Sequence, residues 1–224
     1  TIPEKFKKIT TGDISKSAIK NIKKNFKQNK IKTNKLELCN GDAIDTINKE
    51  YYDFIEIDPF GSPVPFLDIA CQKVKHKGIL SVTATDTAAL CGTYPKTTLR
   101  KYGIKIKKTL YFEELGLRGL IAYCQRQGAK YNKALTPILT YSSEHYYKVF
   151  FKVEESKSKS LKKVKELKYV SWDKETQQTK LEEFETNNSI GRVYVRELNN
   201  KDFLGKIKDN LESIENNEKA SKLI

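Results

Sequence analysis

Tyr51-Tyr52-Asp53-Phe54-Ile55-Glu56-Ile57-Asp58-Pro59-Phe60-Gly61 is an apolar run that closes on a turn signal. The run reads as a buried β-strand over 51–57, with Asp-Pro-Phe-Gly as the turn at its carboxyl end. A carboxylate, a rigid proline and an aromatic ring on a strand tip make a clamp for a planar amine. The carboxylate accepts an N–H, the proline carbonyl accepts another, and the ring stacks on the base. Methylation of an exocyclic amino group of a nucleobase needs such a clamp.

Working outward, the chain alternates strand and helix. A strand over 6–11 leads to a helix over 16–28, with Ser15 as its N-cap and Ala18, Ile22 and Phe26 recurring every four residues. A strand over 36–39 and a short helix over 44–49 precede the 51–57 strand. A helix over 64–75 follows, its apolar face marked by Phe66, Ile69, Ala70 and Val74, with Gly78 read as its C-cap. The next strand is 79–84. This alternation predicts a parallel sheet covered by helices. Residues 85–111 break the rhythm, a helix over 112–130 resumes it, and strands over 134–141 and 145–153 are close enough to form an antiparallel pair. The fold class is therefore α/β, a Rossmann-like class I methyltransferase sheet with a late antiparallel hairpin. The expected domains are a catalytic domain over 1–153, a Lys/Glu/Ser-rich linker over 154–168 with one helical turn or more, and a small α+β C-terminal domain over 169–224. The last holds strands over 167–172 and 192–197 and a helix over 201–220.

In open α/β sheets, ligands bind outside the carboxyl ends of the strands. Asp13, Asp42 and Asp58 each stand at such an end, on three consecutive strands. Asp13, beside Ile14, can take ribose hydroxyls. Asp42 can meet an adenine amino group while the Ala43 N–H meets a ring nitrogen, and Asp58 faces the acceptor amine. Singly, each aspartate reads as a cap or turn residue; the ordered set points to S-adenosylmethionine. The glycine-rich turn that takes the methionine end of that cofactor belongs after a strand preceding Asp13, and no G-x-G pattern occurs there. Met is absent throughout, including position 1. An N-terminally incomplete chain is expected on both counts.

Charge and cysteine usage bound the partners. The 224 residues carry 42 Lys+Arg against 28 Asp+Glu, a net charge of +14. This favours a polyanion, RNA or DNA ahead of an anionic membrane, although a solvated lysine-rich surface has the same composition. Cys39, Cys71, Cys91 and Cys124 fit neither metal-ligand spacing nor a disulfide framework. They read as reduced thiols, which implies a cytoplasmic protein. No apolar stretch approaches the ~18–20 residues of a membrane span, and no signal peptide is visible.

The chain resembles the tRNA (guanine-26-N2)-dimethyltransferases of archaeal type. Asp58-Pro59-Phe60-Gly61-Ser62-Pro63-Val64-Pro65-Phe66, Ala84-Thr85-Asp86-Thr87-Ala88-Ala89-Leu90-Cys91-Gly92 and Arg100-Lys101-Tyr102-Gly103 carry the likeness. So do Glu114-Leu115-Gly116-Leu117-Arg118 and Tyr141-Ser142-Ser143-Glu144-His145-Tyr146-Tyr147. The resemblance implies S-adenosylmethionine as cofactor and one or two methyl transfers to N2 of guanosine 26 in tRNA. It implies cofactor binding by Asp13, Ile14, Asp42 and Ala43, and base capture by Asp58, Pro59 and Phe60. Gly61 gives room at the amine or serves the turn. Asp86 and Thr87 line the guanine pocket or cap the next segment. Lys96, Arg100, Lys101 and Arg118, with Arg126 and Lys130, are the expected tRNA backbone contacts. Many archaeal members carry paired zinc cysteines in the C-terminal domain, whereas 154–224 holds no Cys, so no metal is expected. A monomer without an obligate protein partner is the expectation. Two other readings stand: an adenine-N6 or other nucleobase amino methyltransferase acting on rRNA or DNA, and a non-catalytic RNA-binding remnant.

Overall fold

A computed structural model describes residues 6–30 and 33–212. The described residues up to Tyr51 form one compact unit and those from Tyr52 onward a second.

The first unit is a small βαβ arrangement. Strand β1 (Ile9–Asp13) pairs in parallel with β2 (Leu36–Asn40), and helix α1 (Lys16–Gln28) forms the crossover that parallel strands require. Ser15 caps α1 by accepting from the Ala18 N–H, and Ile19 is the residue the helix buries. The expected strand over 6–11 is therefore shifted, so that Asp13 is its last residue. Helix α2 (Ala43–Asn48) follows β2, N-capped by Asp42.

The second unit carries a four-stranded sheet of order β3-β4-β6-β5. Strand β3 (Tyr52–Ile57) runs parallel to β4 (Val74–Ala84), with helix α3 (Val64–Lys73) as crossover. Strand β6 (Tyr146–Glu155) is antiparallel to β4 and forms a hairpin with β5 (Lys133–Ser143). One sheet face contributes Ile55, Ile57, Leu80, Val82, Val149 and Phe151 to the core. Leu67, Ala70 and Cys71 of α3 and Leu120, Ile121 and Cys124 of α6 (Phe112–Lys130) are buried with them. Segment 85–111, expected to break the pattern, contains α4 (Thr87–Leu90) and α5 (Pro95–Tyr102). None of the four cysteines is in a disulfide, and among the described residues no helix is long and apolar enough to cross a membrane.

Two expectations are corrected. Gly78 is not a helix C-cap: α3 stops at Lys73, and Val74 already pairs with Tyr52 in β4. The pairing slips between Tyr52 and Phe54, and the chain passes so close to β3 that a Cβ on Gly78 would lie 2.8 Å from the Asp53 carbonyl oxygen. His76 consequently sits in β4, and its Nδ1 accepts from the Glu155 N–H at 3.0 Å. The strand expected over 192–197 is β9 (Ser189–Val193), because from Tyr194 the chain leaves the sheet to meet Arg118. Strand β8 (Thr179–Glu182) was not foreseen. It is an edge strand of the three-stranded sheet β8-β7-β9, where β7 is Lys168–Trp172. The helical part expected of the linker is α7 (Lys157–Lys165), and α8 spans Lys201–Glu212. The remainder of the 201–220 helix lies outside the described residues.

Candidate active site

In the second unit, β3 ends at Ile57 and delivers Asp58, Pro59, Phe60 and Gly61 at its carboxyl tip. Asp58 is exposed, Pro59 is half-buried and Phe60 is fully exposed. The strand expected to be buried over 51–57 buries only Ile55 and Ile57, and the solvent-facing Phe60 beyond its end has no place in the core. Gly61 has φ 97°, a conformation that L side chains rarely adopt, so the turn requires glycine. An added Cβ there would meet nothing within 4 Å, so the turn also borders open space.

The tip is tied to the adjacent strand end. The Gly61 N–H donates to Thr85 Oγ1 at 2.5 Å, and the Thr85 N–H donates to the Gly61 carbonyl at 2.9 Å. Behind this hook lies a second layer. Ser62 Oγ and Tyr102 Oη are 2.9 Å apart, and the Tyr102 hydroxyl donates to Asp86 Oδ1 at 2.6 Å. With its proton committed to Asp86, the Tyr102 oxygen accepts from Ser62. Lys101 Nζ holds the other Asp86 oxygen at 3.1 Å. Tyr102 is fully buried. Burial, with Asp86 adding to it, pushes its phenol far above the ordinary value, so it remains a donor across the neutral range.

This network changes the standing of several expected contacts. Asp86 makes no side-chain cap on α4; its carboxylate serves Tyr102 and Lys101. Thr87 opens α4 and is half-buried. Lys96 and Arg100 are exposed one turn apart on α5. Arg118 is committed elsewhere: its guanidinium donates to Glu114 and to the carbonyls of Tyr194 and Arg196, at 3.1 and 3.0 Å. It is thereby a strut for the segment after β9. Arg126 donates to the Tyr102 carbonyl at 2.6 Å, and Lys130 stands 3.7 Å from Asp68. Thr85, Ser62 and Tyr102 lie within the motifs that carry the resemblance, but no role was read for them there, because their partners are distant in sequence.

In the first unit, Asp13 and Asp42 stand at the tips of β1 and β2, both exposed. Asp13 Oδ1 accepts from the Ser15 N–H at 2.7 Å, and Asp42 Oδ1 accepts from the Ile44 N–H at 2.6 Å. Each carboxylate uses one oxygen to fix its own loop and turns the rest to solvent. Ile14, next to Asp13, is 78% exposed, an apolar surface beside a carboxylate. Ala43 opens α2, where backbone N–H groups have no intrahelical acceptor.

The family model for N2,N2-dimethylguanosine tRNA methyltransferases matches residues 3–224. The chain belongs to that family. It is 38% identical over 216 residues to the tRNA (guanine(26)-N(2))-dimethyltransferase of Archaeoglobus fulgidus, covering 92% of this chain and 60% of that protein. It is 39% identical over 168 residues to the tRNA (guanine(26)-N(2)/guanine(27)-N(2))-dimethyltransferase of Aquifex aeolicus, covering 74% and 43%. The solved complex of Trm1 from Pyrococcus horikoshii with S-adenosyl-L-methionine superposes with a TM-score of 0.88 at 31% identity, over 93% of this chain and 61% of that one. The expected α/β methyltransferase sheet with its late hairpin is thus the fold of this family member. The chain spans about 60% of the length of its Archaeoglobus relative. Within the family fold, the strand tips of both units carry the acids and the aromatic residue that the sequence singles out.

Proposed function

We propose that this family member methylates the exocyclic N2 of guanosine 26 in tRNA, using S-adenosylmethionine and giving N2-methyl- and N2,N2-dimethylguanosine. The observation that carries the reading is the tip of β3: an exposed carboxylate and a fully exposed phenyl ring flank Pro59 on a turn pinned through Gly61 to Thr85.

S-adenosylmethionine, when bound, supplies an electrophilic methyl group on a sulfonium. The exposed Asp13 and Asp42 carboxylates suit its hydroxyl and amino donors, because each keeps acceptor capacity after fixing its own loop. Ile14 offers apolar contact and the Ala43 N–H a donor. Guanine N2 is a poor nucleophile, since its lone pair is delocalised into the ring. Asp58 accepts one N–H of that amine and the Pro59 carbonyl accepts the other, which fixes the direction of the lone pair. The Asp58 charge stabilises positive charge developing on nitrogen. Phe60 stacks on the base, which has left its place in the folded RNA. Positioning is the largest contribution, since near-attack geometry is worth ~7–11 kcal/mol. Gly61 leaves room for a monomethylated amine to turn and present its second hydrogen. Lys96 and Arg100 contact backbone phosphate, Thr87 lies at the guanine rim, and Asp86, Lys101 and Arg118 act by holding the scaffold. Within 169–224, the small sheet and α8 belong to the tRNA-binding portion.

Asp58→Ala is the direct test. Methyl transfer to tRNA is lost while tRNA still binds with near wild-type affinity. Turnover retained in the variant would refute the assignment.

A further inference from the structure

In the second unit, a groove is built by α7, β7, β8 and the segment following β9. Its volume is about 640 Å³. None of its lining residues belongs to the candidate active site. Ser158, Leu161, Lys162 and Lys165 enter it at helical spacing, so α7 turns one continuous face toward it. Lys168 and Arg196 line it from the small sheet side, and Glu166 is the single carboxylate among the lining residues.

We infer that this groove holds the sugar–phosphate backbone of the RNA substrate. The inference rests on the reading of tRNA as substrate and adds where a second stretch of it binds. Three of the four cations on the lining are lysines, which meet phosphate as point charges without reading base edges. Lys168 is held tightly by Glu183, at 2.6 and 2.7 Å from its two carboxylate oxygens, whereas Glu166 lies 4.0 Å from Lys162 and 3.6 Å from Arg196, cations that are 75% and 64% exposed. Pairs of that length contribute little, so Lys162, Lys165 and Arg196 are the lining cations open to a phosphate. Lys165 projects from the same face and is exposed. Leu161 and Leu181 are 54% and 64% exposed on the lining, which gives the ribose an apolar surface between phosphates. Lys157 and Lys163 on α7 extend the positive field along the helix. An acidic protein or an anionic membrane would answer the same charge; the tRNA reading of the family fold favours RNA, and a vesicle measurement separates the membrane.

The test compares the full chain with two charge-matched pairs, K162E/K165E in the groove and K23E/K24E on the exposed side of α1. Affinity for an unmodified tRNA transcript is measured by filter binding over a salt series. The groove pair is expected to bind roughly tenfold more weakly, with a log–log salt slope smaller by about 1.8, as two lost phosphate contacts require. The α1 pair is expected to change much less. K162Q/K165Q, which keeps helix propensity, gives the same direction with a smaller effect. Unchanged affinity and slope in the groove pair, or equal losses in both pairs, would overturn the groove while leaving the enzymatic reading intact. Failure of the wild type to bind tRNA at any salt would remove both. Binding of wild type to phosphatidylserine vesicles, lost in the groove pair while tRNA affinity is kept, would assign the surface to membrane and overturn the inference.

Discussion

Removing one oxygen atom tests whether the loop that carries Asp58 is held in place from behind. Tyr102→Phe keeps the buried ring but deletes the hydroxyl that donates to Asp86 Oδ1 at 2.6 Å and lies 2.9 Å from Ser62 Oγ. Asp86 retains Lys101 at 3.1 Å, so its charge is not stranded. A hydrogen bond to a charged group is worth about 1.5–3 kcal/mol. For a chain of this size that corresponds to a fall in Tm of about 3–12 °C. Ser62 directly follows the Gly61 turn, so loosening it frees Asp58, Pro59 and Phe60 from their register. A displacement of about 1 Å at a reacting centre can cost on the order of a hundredfold in rate. The expectation is therefore a kcat lower by about 10- to 100-fold, with the KM for S-adenosylmethionine little changed. Initial-rate kinetics with labelled cofactor separate the two constants, and thermal unfolding reads the stability. Ser62→Ala and the double variant complete a cycle whose coupling energy should be about 1 kcal/mol. A lowered Tm with unchanged kcat would show that the network supports the fold alone, and additive losses would show that Ser62 and Tyr102 do not act together. Either result would refute the argument.

Phe60→Ala should leave Tm unchanged, because the ring is fully exposed. It should weaken productive tRNA binding by about 5- to 150-fold, the equivalent of ~1–3 kcal/mol of stacking; kinetics at subsaturating tRNA check this. Arg118→Ala removes the donors to the Tyr194 and Arg196 carbonyls. Stability should fall by about 1.5–3 kcal/mol, and limited proteolysis should cut earliest around 194–200. Burial pushes the Cys71 thiol up to about 12 and the Cys124 thiol upward as well. Both should resist a thiol reagent near pH 8 until the protein is unfolded, whereas the half-exposed Cys91 should react in the native state.

What was legible in the sequence follows the range of the interactions involved. Helix α1 was read to its true ends because Ser15 and the Ala18/Ile22/Phe26 spacing act within one helix. The Asp-Pro-Phe-Gly tip was legible because an apolar run and a turn signal are adjacent. Asp13 and Asp42 were placed correctly at strand tips, and their bonded partners, Ser15 and Ile44, lie two residues away. Gly78 shows the opposite case. A glycine after an apolar helix looks like a C-cap, and only the pairing of Val74 with Tyr52, a distant residue, reveals a strand. Strand β8 was invisible for a related reason: Thr179, Lys180 and Leu181 are all exposed, so no alternation was written into them. Tyr102 and Arg118 gain their meaning from still longer reaches. Their partners are Asp86 and Ser62 for one, and the carbonyls of 194 and 196 for the other. Arg118 therefore read as a substrate cation, when its guanidinium is occupied by the protein itself. Exposure separates the two kinds of candidate more sharply than residue type does. Phe60 is an aromatic residue that the core does not use, and Tyr102 is one the core encloses completely. The first lies open to solvent, and the second is bonded to Ser62 and Asp86 behind the turn.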